Sequence, residues 1–340
     1  MSQPSPALFF ETISAHERSA ALKAAIDLDV FTAIGEGALT PSALGGRCGA
    51  SPRGIRILCD CLVVVGFLTK NDTGYGLTPD SAAFLDSRSP HYLGGSVGFL
   101  HAPALLAAFA GIAGAVRKGG TVIGEHGTVA PEHPIWADFA RSMGPIMTMP
   151  AAAIADLLGA GSTNGGKGGD WKVLDLAAGH GRFGIAIAHS NPSARIVALD
   201  WAHVLEVAVE NARAAGVADR YETITGSAFD VSFERDYDIV LITNFLHHFD
   251  MDSNERLLHK VYAALKPGGR AVTLEFVPHE DRVSPPGAAM FSLVMLATTA
   301  AGDAYTFSEY EKMFRNAGFA ESSIHRLPAS EQSVIISVKP

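Results

Sequence analysis

K-V-L-D-L-A-A-G-H-G-R-F-G-I-A-I-A, Lys172 to Ala188, is the stretch around which the rest of the chain can be read. A short apolar run, Val173 and Leu174, leads to Asp175; Leu176, Ala177 and Ala178 follow, with glycines at Gly179, Gly181 and Gly184. Apolar residues return at Phe183, Ile185 and Ile187. The pattern predicts a buried strand, a tight turn and a helix. Glycines let a backbone come close to a ligand, and a helix N-terminus carries N–H groups without intrahelical partners. A carboxylate at the strand end suits a cationic amine or a hydroxyl. The literal G-x-G-x-x-G is also a dinucleotide fingerprint, so this stretch alone does not choose the ligand.

Strand and helix patterns alternate from Trp171 onward. Strands are predicted at 173–176, 196–200, 221–225, 239–243, 271–277, 323–327 and 333–338, and helices at 183–189, 204–215, 254–265 and 307–317. Asp252 and Glu255 read as a capping pair for the third of these helices. Lys266-Pro267-Gly268-Gly269 reads as a helix stop and turn. The arrangement is a doubly wound α/β domain, with ligands expected at the C-terminal ends of the strands. The last two strands are joined by a short connection, so the final one is expected to be antiparallel.

Upstream, 7–28 and 30–34 read as helices. Thr40-Pro41 and Ser51-Pro52 each place a cap residue before proline, a helix-start signal. Two short strands then flank Asn71, Asp72 and Thr73. Helix, helix, helix, hairpin is a winged-helix order. Its third helix, S-P-R-G-I-R-I-L-C-D-C-L-V-V-V, is largely apolar. A groove-reading helix needs a polar, basic face, so subunit packing is the better reading than DNA binding. Segment 136–158 returns to helical spacing, and the glycine-rich run 159–169 is the expected boundary.

The length of 340 residues suggests two domains, or one with a large appendage, and at 48% hydrophobic and 18% charged the chain can build a substantial core. A net charge of −9 argues against nucleic acid as a partner. Cys48, Cys59 and Cys61 have no zinc-ligand spacing and read as reduced, mostly buried thiols of a cytoplasmic protein. No secretory signal opens the chain. Segment 92–116 carries no Asp, Glu, Lys or Arg but holds proline and several glycines. It reads as a buried helix rather than a membrane span, as does 286–302.

Several residues suit chemistry. Asp200, about 20 residues after the glycine turn, can accept both ribose hydroxyls or cap the following helix. Ser227 and Phe229 can meet a purine edge and face, or Phe229 can belong to the core. In T-N-F-L-H-H-F-D, 243–250, two histidines stand where a substrate would lie, and a near-neutral imidazole is a natural acceptor for a hydroxyl proton. Adjacent side chains diverge, so one of His247 and His248 is expected to face the site. Glu275 ends the neighbouring strand and can reach a histidine there; a carboxylate in an apolar run is costly unless paired.

Together these motifs resemble the class I S-adenosylmethionine-dependent methyltransferases. More closely, the chain resembles small-molecule O-methyltransferases with an N-terminal winged-helix dimerisation domain, the plant caffeate and bacterial polyketide or phenazine type. The family's V-L-D-x-G-x-G-x-G stands here as V-L-D-L-A-A-G-H-G, with Ala177 at its early glycine. Its G-D-x-F stands as Gly226-Ser227-Ala228-Phe229, and its L-H-D-W as Leu246-His247-His248-Phe249. The resemblance implies a seven-stranded Rossmann-like catalytic domain at 161–340, a winged-helix dimerisation domain at 1–90 and a helical connecting region at 91–160. It implies S-adenosylmethionine as cofactor and S-adenosylhomocysteine as product. Asp175, Ala177, Gly179, Gly181, Asp200, Trp201, Ser227, Ala228, Phe229 and Asn244 would hold the cofactor. His247 would be the general base, oriented by Glu275; a second orienting acid falls on Ala304, next to Asp303. Phe139, Met143, Met147, His248, Met290 and Met295 would wall a small hydroxylated, phenolic substrate. A homodimer is implied, with no metal, nucleic acid or membrane. The rival readings are C- or N-methylation, a non-methylating relative, an NAD-dependent oxidoreductase and a winged-helix regulator.

Overall fold

A computed structural model describes residues 3–37, 39–160, 169–328 and 330–340. Most of the predicted glycine-rich boundary, 161–168, lies outside the described residues. The chain divides into two compact units, Met1–Val97 and Gly98–Pro340.

In the first unit, helices Ala15–Asp27, Val30–Gly35, Pro41–Arg47 and Pro52–Val64 precede an antiparallel hairpin of β1 (Leu68–Asn71) and β2 (Gly74–Leu77). The two proline-marked starts form as the sequence predicts. Thr40 accepts the Ala43 N–H at 3.2 Å and Ser51 the Gly54 N–H at 3.1 Å, each with proline in the first turn. Phe31, Leu44, Ile55, Leu62 and Tyr75 close the core. Tyr75 donates to Asp60 at 2.8 Å, and Lys70 and Arg56 pair with the same carboxylate. The helix Ala7–Ile13 has no buried residue; Leu8, Phe9, Phe10 and Ile13 are all exposed. Cys61 is exposed, against the expectation of a buried thiol, while Cys59 is buried.

The second unit is a seven-stranded sheet. Its strands are β3 (Lys172–Leu176), β4 (Arg195–Asp200), β5 (Tyr221–Thr225), β6 (Tyr237–Thr243), β7 (Leu265–Glu275), β8 (Glu321–Arg326) and β9 (Ser333–Val338), in the order β5-β4-β3-β6-β7-β9-β8. The first five run parallel; β9 is antiparallel to both β7 and β8. Helices Thr148–Leu158, Arg182–Ser190 and Ala202–Ala214 cover one face, and Met251–Ala264 and Phe307–Asn316 the other. Parallel strands covered on both faces are apolar throughout. Thus Val173, Leu174 and Leu176 are all fully buried, each worth about 1.5–3 kcal/mol. Strand order reverses between β3 and β6, the switch point at which such sheets bind ligands.

Four local expectations change. The cap of helix Met251–Ala264 is Asp250, whose carboxylate accepts the Ser253 N–H at 2.7 Å; Asp252 already lies in the first turn. β7 begins at Leu265, so the predicted turn is an irregular strand start: Leu265 pairs with Tyr237, and the register slips before Arg270 meets Ile239. Segment 92–116 is not one buried helix. It breaks at Pro103 and Gly111 into short helices, and Leu100, Leu106 and Val116 are about half exposed or more. Helix Pro286–Thr298 likewise buries Ala288 and Met295 but exposes Met290 and Leu293. No helix among the described residues is long and apolar enough to cross a membrane.

Candidate active site

The loops that leave the C-terminal ends of four parallel strands enclose a cavity of about 220 Å³. Residues 177–180 follow β3, Asp200 and Trp201 end and follow β4, and 226–230 follow β5. Thr243 ends β6, and Asn244, Phe245, His248 and Phe249 follow it. Trp136 and Phe139, from helix Ile135–Met143, complete an aromatic wall. Among the described lining residues there is no lysine or arginine, and the acids are Asp200 and Asp230.

The glycine turn is built differently from a simple helix-terminus cradle. Four of its backbone N–H groups are taken internally. Gly179 donates to Asp200 Oδ2 at 2.8 Å, Gly181 to the Ala178 carbonyl at 2.7 Å, Arg182 to His180 Nδ1 at 3.1 Å and Gly184 to Asp175 Oδ2 at 3.1 Å. The expectation that the start of helix Arg182–Ser190 would offer free amides is therefore corrected for these groups. Asp175 lies beneath the turn, fully buried and outside the cavity lining, with burial pushing its carboxyl up to about 7. Gly181 is likewise outside the lining: it has φ +71°, and a Cβ there would stand 2.5 Å from the Tyr221 hydroxyl. Ala177 adopts φ +52°, a left-handed backbone that glycine enters freely and alanine enters at about 1–2 kcal/mol.

Asp200 is not a side-chain cap for the next helix, whose N-cap is Trp201. Its Oδ1 accepts the Trp201 N–H at 2.7 Å and its Oδ2 the Gly179 N–H. An ionised carboxylate has about four acceptor positions, so two remain for a ligand. Burial raises the Asp200 carboxyl to about 6, against the lowering effect of those two N–H groups and of His203. Ser227, Ala228, Phe229 and Asn244 all reach the cavity. Asn244 has φ +54°; its side chain accepts from Gln332 and donates toward Met147 Sδ at 3.9 Å.

His247 and Glu275 meet as the strand order requires. Glu275, fully buried at the end of β7, accepts the N–H groups of Phe245 at 3.0 Å and Leu246 at 2.9 Å through Oε1. His247 Nδ1 donates to its Oε2. The carboxylate thus anchors both the loop and the ring. Asn254 holds the same loop from the next helix, donating to the Leu246 carbonyl at 2.9 Å and the Phe249 carbonyl at 3.3 Å. Gly302 backs against it so closely that a Cβ would lie 2.2 Å from the His247 carbonyl oxygen.

Of the two histidines, His248 lines this cavity. The His247 ring sits behind it, 4.2 Å from the His248 ring and 4.9 Å from that of Phe291. Burial drives the His248 imidazole well below its usual range, with His247 adding to the effect. Of the expected substrate wall, Phe139 and His248 line the cavity, whereas Met143, Met147, Met290 and Met295 do not. Met147 and Met295 are buried, and Met290 is 68% exposed. Ala304 is buried, and Asp303 turns to Arg282 at 3.4 Å and to its own Ala304 N–H at 2.8 Å rather than to His247. His180, Trp136 and Phe245 carry no role in the sequence reading, yet they line the cavity; Trp136 joins the expected Phe139 there once helix Ile135–Met143 is placed over the strand ends.

Residues 171–320 match the O-methyltransferase domain profile, and residues 10–87 the O-methyltransferase dimerisation domain profile. The chain is similar to the tetracenomycin polyketide synthesis 8-O-methyl transferase of Streptomyces glaucescens, at 27% identity over 89% of this chain and 88% of that protein. It is also similar to the 3-hydroxy-5-methyl-1-naphthoate 3-O-methyltransferase of Streptomyces sahachiroi, at 27% identity over 93% and 90%. Its fold superposes on the crystal structure of a candidate O-methyltransferase from Nostoc punctiforme with a TM-score of 0.94, at 53% identity over 99% of this chain and 100% of that one. Human N-acetylserotonin methyltransferase, solved with S-adenosylmethionine, shares the fold at a TM-score of 0.83 and 20% identity, over 100% of this chain and 99% of that one.

Proposed function

The chain belongs to the O-methyltransferase family, and from that premise we propose that it transfers a methyl group from S-adenosylmethionine to a phenolic hydroxyl of a small aromatic metabolite. The observation that carries this reading is the buried His247–Glu275 pair beside a cavity whose acidic lining suits a cationic sulfonium compound. The cavity fits the cofactor in kind. Asp200 keeps acceptor positions for ribose hydroxyls. Trp201 and Phe229 offer flat faces for an adenine, with Ser227 beside them. Asn244 and Gly179 complete that wall, over Asp175 and Gly181, which shape the turn from below.

S-adenosylmethionine, when bound, supplies an electrophilic methyl group. The protein's part is to deliver a nucleophilic oxygen in a water-poor place. With Nδ1 committed to Glu275, Nε2 of His247 is the nitrogen left to take the hydroxyl proton. Glu275 fixes the tautomer and steadies the imidazolium that results. Phe139, Phe245, Phe249 and Trp136 exclude water and favour a flat acceptor. The polyketide and naphthoate hydroxyls named for the relatives have this character. A homodimer fits the reading, through the domain at 10–87 whose profile bears that name and whose first helix is apolar and uncovered.

Incubation with S-adenosylmethionine and a panel of hydroxyarenes should yield S-adenosylhomocysteine and a product methylated on oxygen. Methylation on carbon or nitrogen alone, or no turnover with any hydroxyarene, would overturn the proposed reaction. A pH dependence follows from Asp200. Ribose hydroxyls donate to its ionised form, so affinity for S-adenosylhomocysteine should be level above about pH 7. It should fall by up to about tenfold per unit below about 6, as the carboxyl gains its proton. Asp200→Asn should bind more weakly and lose this dependence. Calorimetry from pH 5 to 8 checks it, and an equal affinity of the parent throughout would remove Asp200 from the ribose.

A further inference from the structure

The middle residue of Gly179-His180-Gly181 has a side chain that the assigned chemistry does not use. His180 is 3% exposed and lines the cavity. Its ring is held on two sides, stacked on Phe139 at 6.4 Å with an 18° interplanar angle and tilted against Phe183 at 5.7 Å. Its carbonyl oxygen accepts from Asn211 Nδ2 at 2.9 Å, which fixes the backbone beneath it. Nδ1 accepts the Arg182 N–H at 3.1 Å. A ring nitrogen that accepts is unprotonated, so the proton of the neutral ring is on Nε2. Burial, with the Arg182 guanidinium near, pushes this imidazole down to about 3, so the ring stays a neutral one-proton donor at working pH. Among the described residues no acceptor takes that proton. The residue that carries this unclaimed donor is part of the cavity wall.

The turn's amides at Gly179, Gly181, Arg182 and Gly184 are already engaged. The imidazole N–H is therefore the side-chain donor this turn presents to a ligand. The cavity has no lysine or arginine among its described lining residues, so the side-chain donors its wall offers an anionic group are neutral. S-adenosylmethionine carries one such group, the carboxylate of its amino-acid end. We infer that His180 donates its Nε2–H to that carboxylate and so sets the depth and direction of the cofactor's tail. The inference rests on the cofactor reading above and adds a positioning residue to it. Its chemical basis is a neutral donor of locked tautomer facing a charged acceptor, a class of hydrogen bond stronger than a neutral pair.

Two ligands separate this role from a general one. S-adenosylhomocysteine has the amino-acid end; methylthioadenosine has the same nucleoside and a thioether but lacks it. Their affinities are to be measured by calorimetry on the parent, on His180→Asn and on His180→Phe. Asparagine can still accept the Arg182 N–H through an Asx turn but is too short to reach the cavity; phenylalanine keeps the ring packing without the donor. Both variants should bind S-adenosylhomocysteine roughly 10- to 100-fold more weakly while holding methylthioadenosine within about twofold. Equal weakening of the two ligands, or an unchanged affinity for S-adenosylhomocysteine, overturns the inference. The asparagine variant decides alone if the phenylalanine variant does not fold. A parent that binds neither ligand would instead overturn the cofactor reading, before any variant is compared.

Discussion

His247→Gln and His247→Ala should lose turnover by about 10²–10⁴-fold in kcat, the usual worth of a positioned general base, while binding S-adenosylhomocysteine within a few-fold of the parent. The separation of the two readouts follows from position. His247 packs between His248 and Phe291 and is not part of the cavity lining that Asp200 and Trp201 share. Truncation to alanine also leaves Glu275 Oε2 without its partner, so that variant should be the less stable of the two. A companion substitution, His248→Phe, keeps an aromatic ring against Trp136, somewhat larger, and removes both ring nitrogens. It should raise KM more than it lowers kcat. Turnover of either His247 variant at the parent rate would transfer the base to another residue. A kcat loss confined to His248→Phe would name that residue.

The sheet was legible because its strands are short apolar runs separated by turn residues, and the period changes at each helix. Contact between Glu275 and a histidine was legible for the same reason: two neighbouring parallel strands end at one level, and an acid in a buried run needs a partner there. What local pattern could not show was anything decided by a neighbour distant in sequence. Segment 92–116 has the composition of a buried helix, yet several of its large apolar residues lie on the surface of the single chain. Composition says that a surface must be covered, not by what. Met290 and Met295 sit on one helix, but whether either faces a cavity depends on the rotation of that helix, and its near-uniform apolar sequence does not mark a face. His180 was hidden differently. It stands at a position where almost any side chain satisfies the glycine pattern, and its donor character appears only once Nδ1 is seen to accept from Arg182. Two of the free amides expected of the helix start, those of Gly184 and Arg182, were lost to Asp175 and His180, side chains of the same quoted stretch folded back on it.

Glu275→Gln tests the orienting role with the smallest change of shape, and its expected effect is as large as loss of the histidine. The amide oxygen can continue to accept from Phe245 and Leu246, so the loop should stay in place. The amide nitrogen then faces His247 Nδ1 and donates to it, where the carboxylate accepted. An accepting Nδ1 puts the ring proton on Nε2, the atom proposed to take the substrate's proton. Tautomer reversal of this kind costs about 10⁴-fold in kcat where a buried aspartate orients the histidine of serine proteases. Turnover should therefore fall by about 10³–10⁴-fold here, with thermal stability and S-adenosylhomocysteine affinity close to the parent. Glu275→Ala separates the two functions of the carboxylate. It orphans two buried N–H groups as well as the ring, so it should lose the same turnover and in addition about 1–3 kcal/mol for each amide left without an acceptor. The pair of variants thus predicts equal kinetic damage and unequal melting temperatures. A glutamine variant that keeps more than about a tenth of the parent kcat would mean that the carboxylate holds the loop and nothing more.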